Sequence, residues 1–167
     1  MESIALTPIL VVELLLLMLA ANGAPILLAR ILGDRWAWPV DFGLRLGDGR
    51  PLFGRSKTWR GIVVGLVTCA AVAALLGYGP AFGLCFGGAS LLGDLCSSFV
   101  KRRLGIASSG KAIGLDQVPE ALLPLVVFRC AYGLDWVSIG ALVAFFLVGS
   151  LALSRIMFRL GVRKQPY

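Results

Sequence analysis

Gly93–Gln117 reads GDLCSSFVKRRLGIASSGKAIGLDQ, and an acid stands at each end of it, Asp94 inside one apolar run and Asp116 just before the next. If Gly93–Arg102 is helical, Asp94, Ser98 and Lys101 fall at i, i+4 and i+7, with Ser90 one turn earlier. That is a polar stripe on an apolar helix, running out into the basic cluster Lys101-Arg102-Arg103. A carboxylate at membrane depth is costly unless it is paired, protonated or bound to a cation. The stretch therefore reads as a site in which an acid holds a metal and the metal holds a nucleotide.

Outward from this stretch, the 167 residues are 58% hydrophobic and 15% charged, with a mean hydropathy of +0.87. One soluble core of this size cannot hide so much apolar surface. Apolar residues also come in runs of about twenty rather than in alternating stripes, which is the mark of membrane-spanning helices. Five spans can be drawn, at about 4–28, 61–78, 80–100, 117–132 and 137–156. The expected fold is all-α: a multi-pass membrane protein of about five transmembrane helices forming one domain over 1–167. Glu2 and Glu13, with no basic residue before the first run, read as a retained span rather than a cleaved signal.

The net charge of +7 is accounted for by topology and requires no nucleic acid polymer. Lysine and arginine concentrate in the loops at about 30–60 and 101–117 and in the tail, whereas the connections at 78–79 and 133–136 have none. The positive-inside rule then places the N-terminus outside and both long loops and the C-terminus in the cytoplasm, in the cell membrane. Trp36, Trp38 and Trp59 belong to the inner face, Tyr78, Tyr132 and Trp136 to the outer.

There is no histidine, so carboxylates and cations must carry any chemistry. The four cysteines sit in apolar runs without CxxC spacing and read as small packing residues. Pro25 should kink the first span near Ala21 and aim the Asn22 amide into the bundle. Glu13 and Arg129 lie at comparable depth and are expected to pair across the bundle. Gly61/Gly65 and Gly83/Gly87 are G-x-x-x-G pairs that let helices approach closely. The first long loop contains G-x-x-x-x-G at Gly49–Gly54, but Lys57-Thr58 follows two residues late and no strand precedes it, so a P-loop is rejected. Its Arg55, Lys57 and Arg60 still offer charge for phosphate. Pro119 suits a first helical turn, with Asp116 and Glu120 near its positive end.

Taken together, Asn22…Pro25, Pro39-Val40-Asp41, Gly54-x-x-Lys57-Thr58-Trp59-Arg60-Gly61, Gly93-Asp94, Ser98-Phe99-x-Lys101-Arg102-Arg103 and Leu115-Asp116-Gln117 resemble CDP-archaeol synthases, small five-helix relatives of the CDP-diacylglycerol synthases. The larger relatives carry Gly-Asp-Leu-x-x-Ser-x-x-Lys-Arg, which Gly93–Arg102 fits without a gap. Their later Lys-Asp pair is Ala107-Ser108 here, their His turn is absent, and Pro119 stands where many archaeal members have an acid, with Glu120 next door.

The resemblance implies a reaction of CTP with a lipid phosphate to give CDP-lipid and pyrophosphate, with Mg²⁺. The lipid would be an archaetidic-acid-type diether or a phosphatidic acid. The nucleophile is already an anion, so no general base is required. Asp94 and Asp116 are then the expected metal ligands and catalytic residues, with Lys101. Lys57, Thr58, Arg102 and Lys111 would hold phosphate oxygens, while Ser98 and Asn22 would orient ligands. The lipid tail would enter sideways from the bilayer and CTP from the cytoplasm. Two other readings stay open: a CTP-dependent polyprenol or lipid kinase, and a small transporter of an anionic solute with Asp94 and Asn22 as its site.

Overall fold

The structure is a computed structural model describing residues 7–108, 110 and 112–161. It is helical: α1 Pro8–Leu32, α2 Trp59–Leu75, α3 Pro80–Arg103, α4 Gln117–Val127 and α5 Trp136–Arg159. Neighbours in sequence pack against each other, and α3 also meets α1, so that α3 lies at the centre. Helix starts follow local chemistry. The Thr7 hydroxyl accepts from the Leu10 amide at 3.2 Å ahead of Pro8, Thr58 accepts from Gly61 at 3.3 Å, and Asp135 accepts from Ser138 at 2.7 Å.

Three helices, α1, α3 and α5, are long and apolar enough to cross a membrane. The other two depart from the five full spans expected. α2 has 17 residues, a rise of about 25 Å that suffices only for a thin or locally adapted bilayer. α4 has 11 residues, a rise of about 16 Å, and covers half a span. Its start is fixed by Gly93: a Cβ there would collide with the Pro119 carbonyl and stand 2.8 Å from the Glu120 amide nitrogen. Gly93 is ten residues before the end of α3 at Arg103, so α4 begins about 15 Å short of that end. From there α4 runs beside the Pro80 half of α3, where Phe82 and Phe86 pack on Phe128 with ring centroids 5.0 and 5.7 Å apart. The basic half of α3 faces the 104–116 segment instead of a helix.

Two prolines shape the core. α1 continues through Pro25, which cannot donate to the Ala21 carbonyl one turn back. That oxygen points at Gly65, where a Cβ would come within 2.5 Å of it, while a Cβ at Gly61 would be 3.6 Å from Pro25 Cβ. The first G-x-x-x-G therefore fits α2 against the proline turn of α1. The second fits α3 against α2: a Cβ at Gly83 would lie 2.6 Å from Cys69 O, and one at Gly87 2.9 Å from Cys69 Cβ. In α4, Pro124 leaves the Glu120 carbonyl without its helical donor, and the Ser90 hydroxyl supplies one at 2.8 Å. Around these crossings Leu14, Leu17, Met18, Phe86, Leu125 and Leu142 are buried. Cys69 is buried with them, Cys85, Cys96 and Cys130 are exposed, and all four are free thiols.

The expected Glu13–Arg129 pair is absent among the described residues. Glu13 accepts from the Tyr78 hydroxyl. Arg129 lies past the end of α4, where its Nε donates to Leu134 O at 3.0 Å and its guanidinium stacks 4.6 Å over the Trp136 ring. Because α4 is short, Arg129 is carried beyond the helix and solved its desolvation locally.

The loop between α1 and α2 is a closed hairpin-like excursion, without a helix of its own. Bridges Pro39↔Thr58 and Arg45↔Pro51 nest one inside the other. Arginines pin it to helix ends. Arg60, at the start of α2, donates to Gly33 O at 2.6 Å and to Arg35 O, tying down the turn that follows α1. Arg50 donates to Arg103 O, and Arg103 reaches both oxygens of Asp48 at 2.6 Å. Cations at helix C-termini complement the dipole and satisfy free carbonyls.

Candidate functional site

The site lies on the half of α3 that α4 leaves uncovered. Asp94, Ser97, Ser98, Lys101 and Arg102 occupy its last three turns, and all but Asp94 are buried. Two ion pairs organise it. Lys57, at the end of the first loop, meets Asp94. Lys101 Nζ lies 2.5 Å from Asp116 Oδ1 and 3.3 Å from Gly110 O. Asp94 and Lys101 are two turns apart on one face, so both carboxylates belong to the same side of α3, each held by its own lysine. Asp116 is the residue preceding α4, and its side chain makes no capping bond there. The ion pair with Lys101 has displaced the capping role.

Deeper along the same face, the Asn22 amide donates to Ser90 Oγ at 2.8 Å and to Met18 O at 3.0 Å. Its other atom, Oδ1, is buried without a partner. Towards the loops, Arg102 is 3% exposed. Its Nη2 donates to Ala107 O at 2.8 Å, while Nε and Nη1 are buried and unpartnered. An unpaired buried acceptor at the level of Ser90 and two unpaired buried donors at the loop end of α3 are each costly unless a partner satisfies them.

Several expected residues have other placements. Thr58 Oγ1 serves as the α2 cap. Ser98 is 2% exposed within α3. Arg60, offered above as charge for phosphate, donates to the carbonyls of Gly33 and Arg35. The Glu120 backbone lies against Gly93, one residue from Asp94. Lys111 lies outside the described residues.

The loop adds a residue that sequence reasoning quoted without a role. Asp41 accepts from the amides of Gly43 at 3.0 Å and of Phe53 and Gly54 at 2.9 Å. Burial pushes its carboxyl up, but these amide bonds outweigh it and hold the pKa below the ordinary value of 3.8. The signal was the Asp-x-Gly spacing at 41–43, which suits a side chain folding back on its own loop. Ser90 was visible in the polar stripe, and Pro124 four residues after Glu120 marked its acceptor. Two cavities flank the site. One of about 560 Å³ is lined by Asp41, Arg45, Gly54, Arg55 and Ser108 among others. The other, of about 490 Å³, is an apolar cleft formed by Phe53, Leu92, Leu95, Cys96, Phe99 and Val100.

No three acidic or sulfur side chains cluster among the described residues. Two carboxylates and an amide oxygen are nevertheless hard oxygen donors of the kind Mg²⁺ uses, since it commonly takes one or two carboxylates and completes its shell with phosphate and water.

The sequence and the fold have counterparts among known proteins. The model of the CarS-like family, CDP-archaeol synthase, matches residues 6–82 and 78–167. The CDP-archaeol synthase of Pyrobaculum aerophilum is 32% identical over 158 residues, covering 88% of this chain and 91% of that one. That of Thermofilum pendens is 42% identical over 105 residues, covering 59% and 50%. A solved structure described as an intramembrane enzyme for archaeal membrane lipid biosynthesis superposes with a TM-score of 0.75 at 32% identity, over 88% of this chain and 94% of that one. With the family model matched over nearly the whole chain and the bundle shared with a solved relative, this chain belongs to the CDP-archaeol synthase family, membrane cytidylyltransferases that make CDP-lipid from CTP and a lipid phosphate.

Proposed function

We propose that the transfer takes place over the uncovered half of α3, with Asp94 and Asp116 as ligands of a Mg²⁺ ion and an archaetidic-acid-type diether as the lipid phosphate. The observation that carries this reading is two ion pairs, Lys57–Asp94 and Lys101–Asp116, whose members on α3, Asp94 and Lys101, stand two turns apart on one face. Each carboxylate is held by an ammonium group that can exchange partners: carboxylates to a cation, lysines to phosphate oxygens.

A lipid phosphate oxygen attacks the α-phosphorus of CTP. The new O–P bond forms as the bond from that phosphorus to the bridging oxygen breaks, and pyrophosphate leaves with the electron pair. The nucleophile is already ionised, so the chain supplies positioning and charge rather than a base. Lys57 and Lys101 turn from their acids to the phosphates, Arg102 contributes its unpartnered donors, and Asn22 offers Oδ1 as an acceptor. Ser98 and Thr58 orient these groups through α3 and the α2 cap. A bound Mg²⁺ supplies charge stabilisation for the phosphate oxygens.

The apolar cleft under Phe53 runs along α3 from Leu92 to Val100, beside Asp94. It suits a hydrocarbon chain whose head lies at the carboxylates. The lipid thus stays in the membrane, while CTP comes from the arginine-rich side, which the positive-inside rule assigns to the cytoplasm.

The test is incubation of the purified protein with CTP, Mg²⁺ and a panel of diether and diester lipid phosphates, with product mass detection. Label at the α-phosphate of CTP enters the lipid in a cytidylyl transfer. Label entering from the γ-phosphate instead defines a kinase and overturns the reading. Omission of Mg²⁺ abolishes turnover; full turnover in its absence overturns the metal assignment.

A further inference from the structure

The first loop turns its largest apolar side chains outward. Trp36, Trp38 and Phe42 are 67%, 66% and 77% exposed, and Trp59, at the start of α2, is exposed beside them. They lie together. The Trp59 amide donates to Trp38 O at 3.0 Å, the Phe42 and Trp59 ring centroids are 6.4 Å apart, and Arg60 holds the Arg35 carbonyl just ahead of Trp36. Trp36 and Phe42 have φ of +54° and +47°, a left-handed conformation that is unfavourable for a bulky side chain. Neither ring is buried by the protein in return, so the compensation comes from outside the chain.

The patch continues the lipid-facing side of the bundle. Trp59, Val63 and Val67 follow one another at single-turn spacing along α2, all exposed. On α1, Ile31 is exposed next to the helix end at Leu32, and Trp36 stands four residues beyond that end. Exposed Arg30 and Arg35 flank this point, against one acid, Asp34. Aromatic rings beside arginines at the end of a membrane-spanning helix suit the headgroup layer, where a ring meets acyl carbon and a guanidinium meets phosphate.

We propose that Trp36, Trp38, Phe42 and Trp59 form an interfacial anchor that seats the first loop in the phospholipid headgroup layer and so fixes the depth of Lys57. The link runs through backbone: Val40 N donates to Lys57 O at 2.8 Å, next to the Trp59–Trp38 bond, and the Lys57 ammonium meets Asp94. Trp38 and Phe42 are thus positioning residues that act through Lys57, and this part of the inference rests on the reaction proposed above.

Tryptophan quenching of the full chain in phospholipid nanodiscs tests the seat. The chain has four tryptophans, so the emission lost in Trp38→Phe and the emission gained in Phe42→Trp isolate the patch. Both increments should be quenched by phospholipid brominated near the glycerol end of its acyl chains, less by lipid brominated near the methyl end, and little by acrylamide from water. Strong quenching by acrylamide alone puts the patch in water and overturns the proposal. Quenching by neither reports a covering protein and overturns it too. Phe42→Asp, at an exposed residue, should lower turnover about tenfold at low CTP and recover at high CTP, with Phe42→Trp within about twofold of the wild type. Added to Lys57→Ala, Phe42→Asp should cost nothing more. Full turnover of Phe42→Asp at every CTP concentration, or a loss that adds to that of Lys57→Ala, overturns the link to the lysine. The quenching needs no substrate, so a wild type that forms no CDP-lipid sinks the reaction while the bromines alone decide the seat.

Discussion

Ser90 Oγ lies 2.8 Å from the carbonyl oxygen of Glu120, the oxygen that Pro124 deprives of its helical amide. The same hydroxyl accepts from Asn22 at 2.8 Å, so one serine ties α1, α3 and α4 at the level of the site. Ser90→Ala would remove that hydroxyl donor from the Glu120 carbonyl, at a cost of about 1–3 kcal/mol. Pro124→Ala restores a backbone donor to that carbonyl. The serine substitution should therefore be milder in the Pro124→Ala background, and thermal unfolding of the four proteins in detergent measures the coupling. Additive effects would show that the hydroxyl is not substituting for the missing amide.

Gly93 is the point where α4 starts against α3, with backbone rather than side chain in the way of a Cβ. Gly93→Ala must push the two helices apart and is expected to destabilise by roughly 1–3 kcal/mol. Gly88→Ala, whose Cβ would meet only the Leu66 side chain at 3.8 Å, serves as the tolerated control. Comparison of their unfolding temperatures, and of turnover at a temperature where both are folded, checks the assignment.

Asp94→Asn and Asp116→Asn keep the shape of each side chain and remove the charge that a cation needs. Each should lower cytidylyl transfer by about a hundredfold or more, with membrane insertion and expression intact. Lys57→Ala should chiefly weaken handling of CTP, seen as a turnover that falls at low CTP and partly recovers at high. Near-normal turnover in either aspartate variant removes the metal assignment.

Asp41 gives a pH dependence whose sign can be worked out. Its folded pKa is below the ordinary 3.8, because the Phe53, Gly54 and Gly43 amides favour the anion over the opposing effect of burial. The stability it adds is present above the unfolded pKa and is lost as pH falls through the folded one. Protease resistance of the first loop should hold at about pH 6 and decline below about pH 4 in the wild type. In Asp41→Asn the loop should be less resistant throughout and lose that dependence on acid.

Much of this architecture was legible in the residues because charge in an apolar run has few physical solutions. The spacing of Ser90, Asp94 and Lys101 put them on a single face, and Asp116 pairs with Lys101 from just ahead of α4. The length of α4 was not legible, since the run over 117–132 has the same hydropathy whether it is one helix or a short helix and a turn. What ends it early is packing, with the aromatic rings of Phe82, Phe86, Phe128 and Tyr132 closing one end and Gly93 fixing the other. The same shortening undid the expected partnership of Glu13 and Arg129. The partners of Arg60 were not legible either: an arginine's acceptors show only when the carbonyls of Gly33 and Arg35 are seen to converge on it. Gly93 and Gly54 carry no chemistry in a sequence reading, because a glycine's contribution is the neighbour it admits.

That α4 reaches only halfway along α3 bears on kinetics as well as shape. If, as proposed, the lipid phosphate enters from the bilayer beside the uncovered half of α3, it is delivered by diffusion in two dimensions. The quantity that sets its encounter rate is then molecules per unit area of bilayer, not molecules per litre. Diluting the protein's own membrane with inert lipid should slow the reaction even at constant total substrate, whereas the nucleotide, arriving from water, would be indifferent to that dilution.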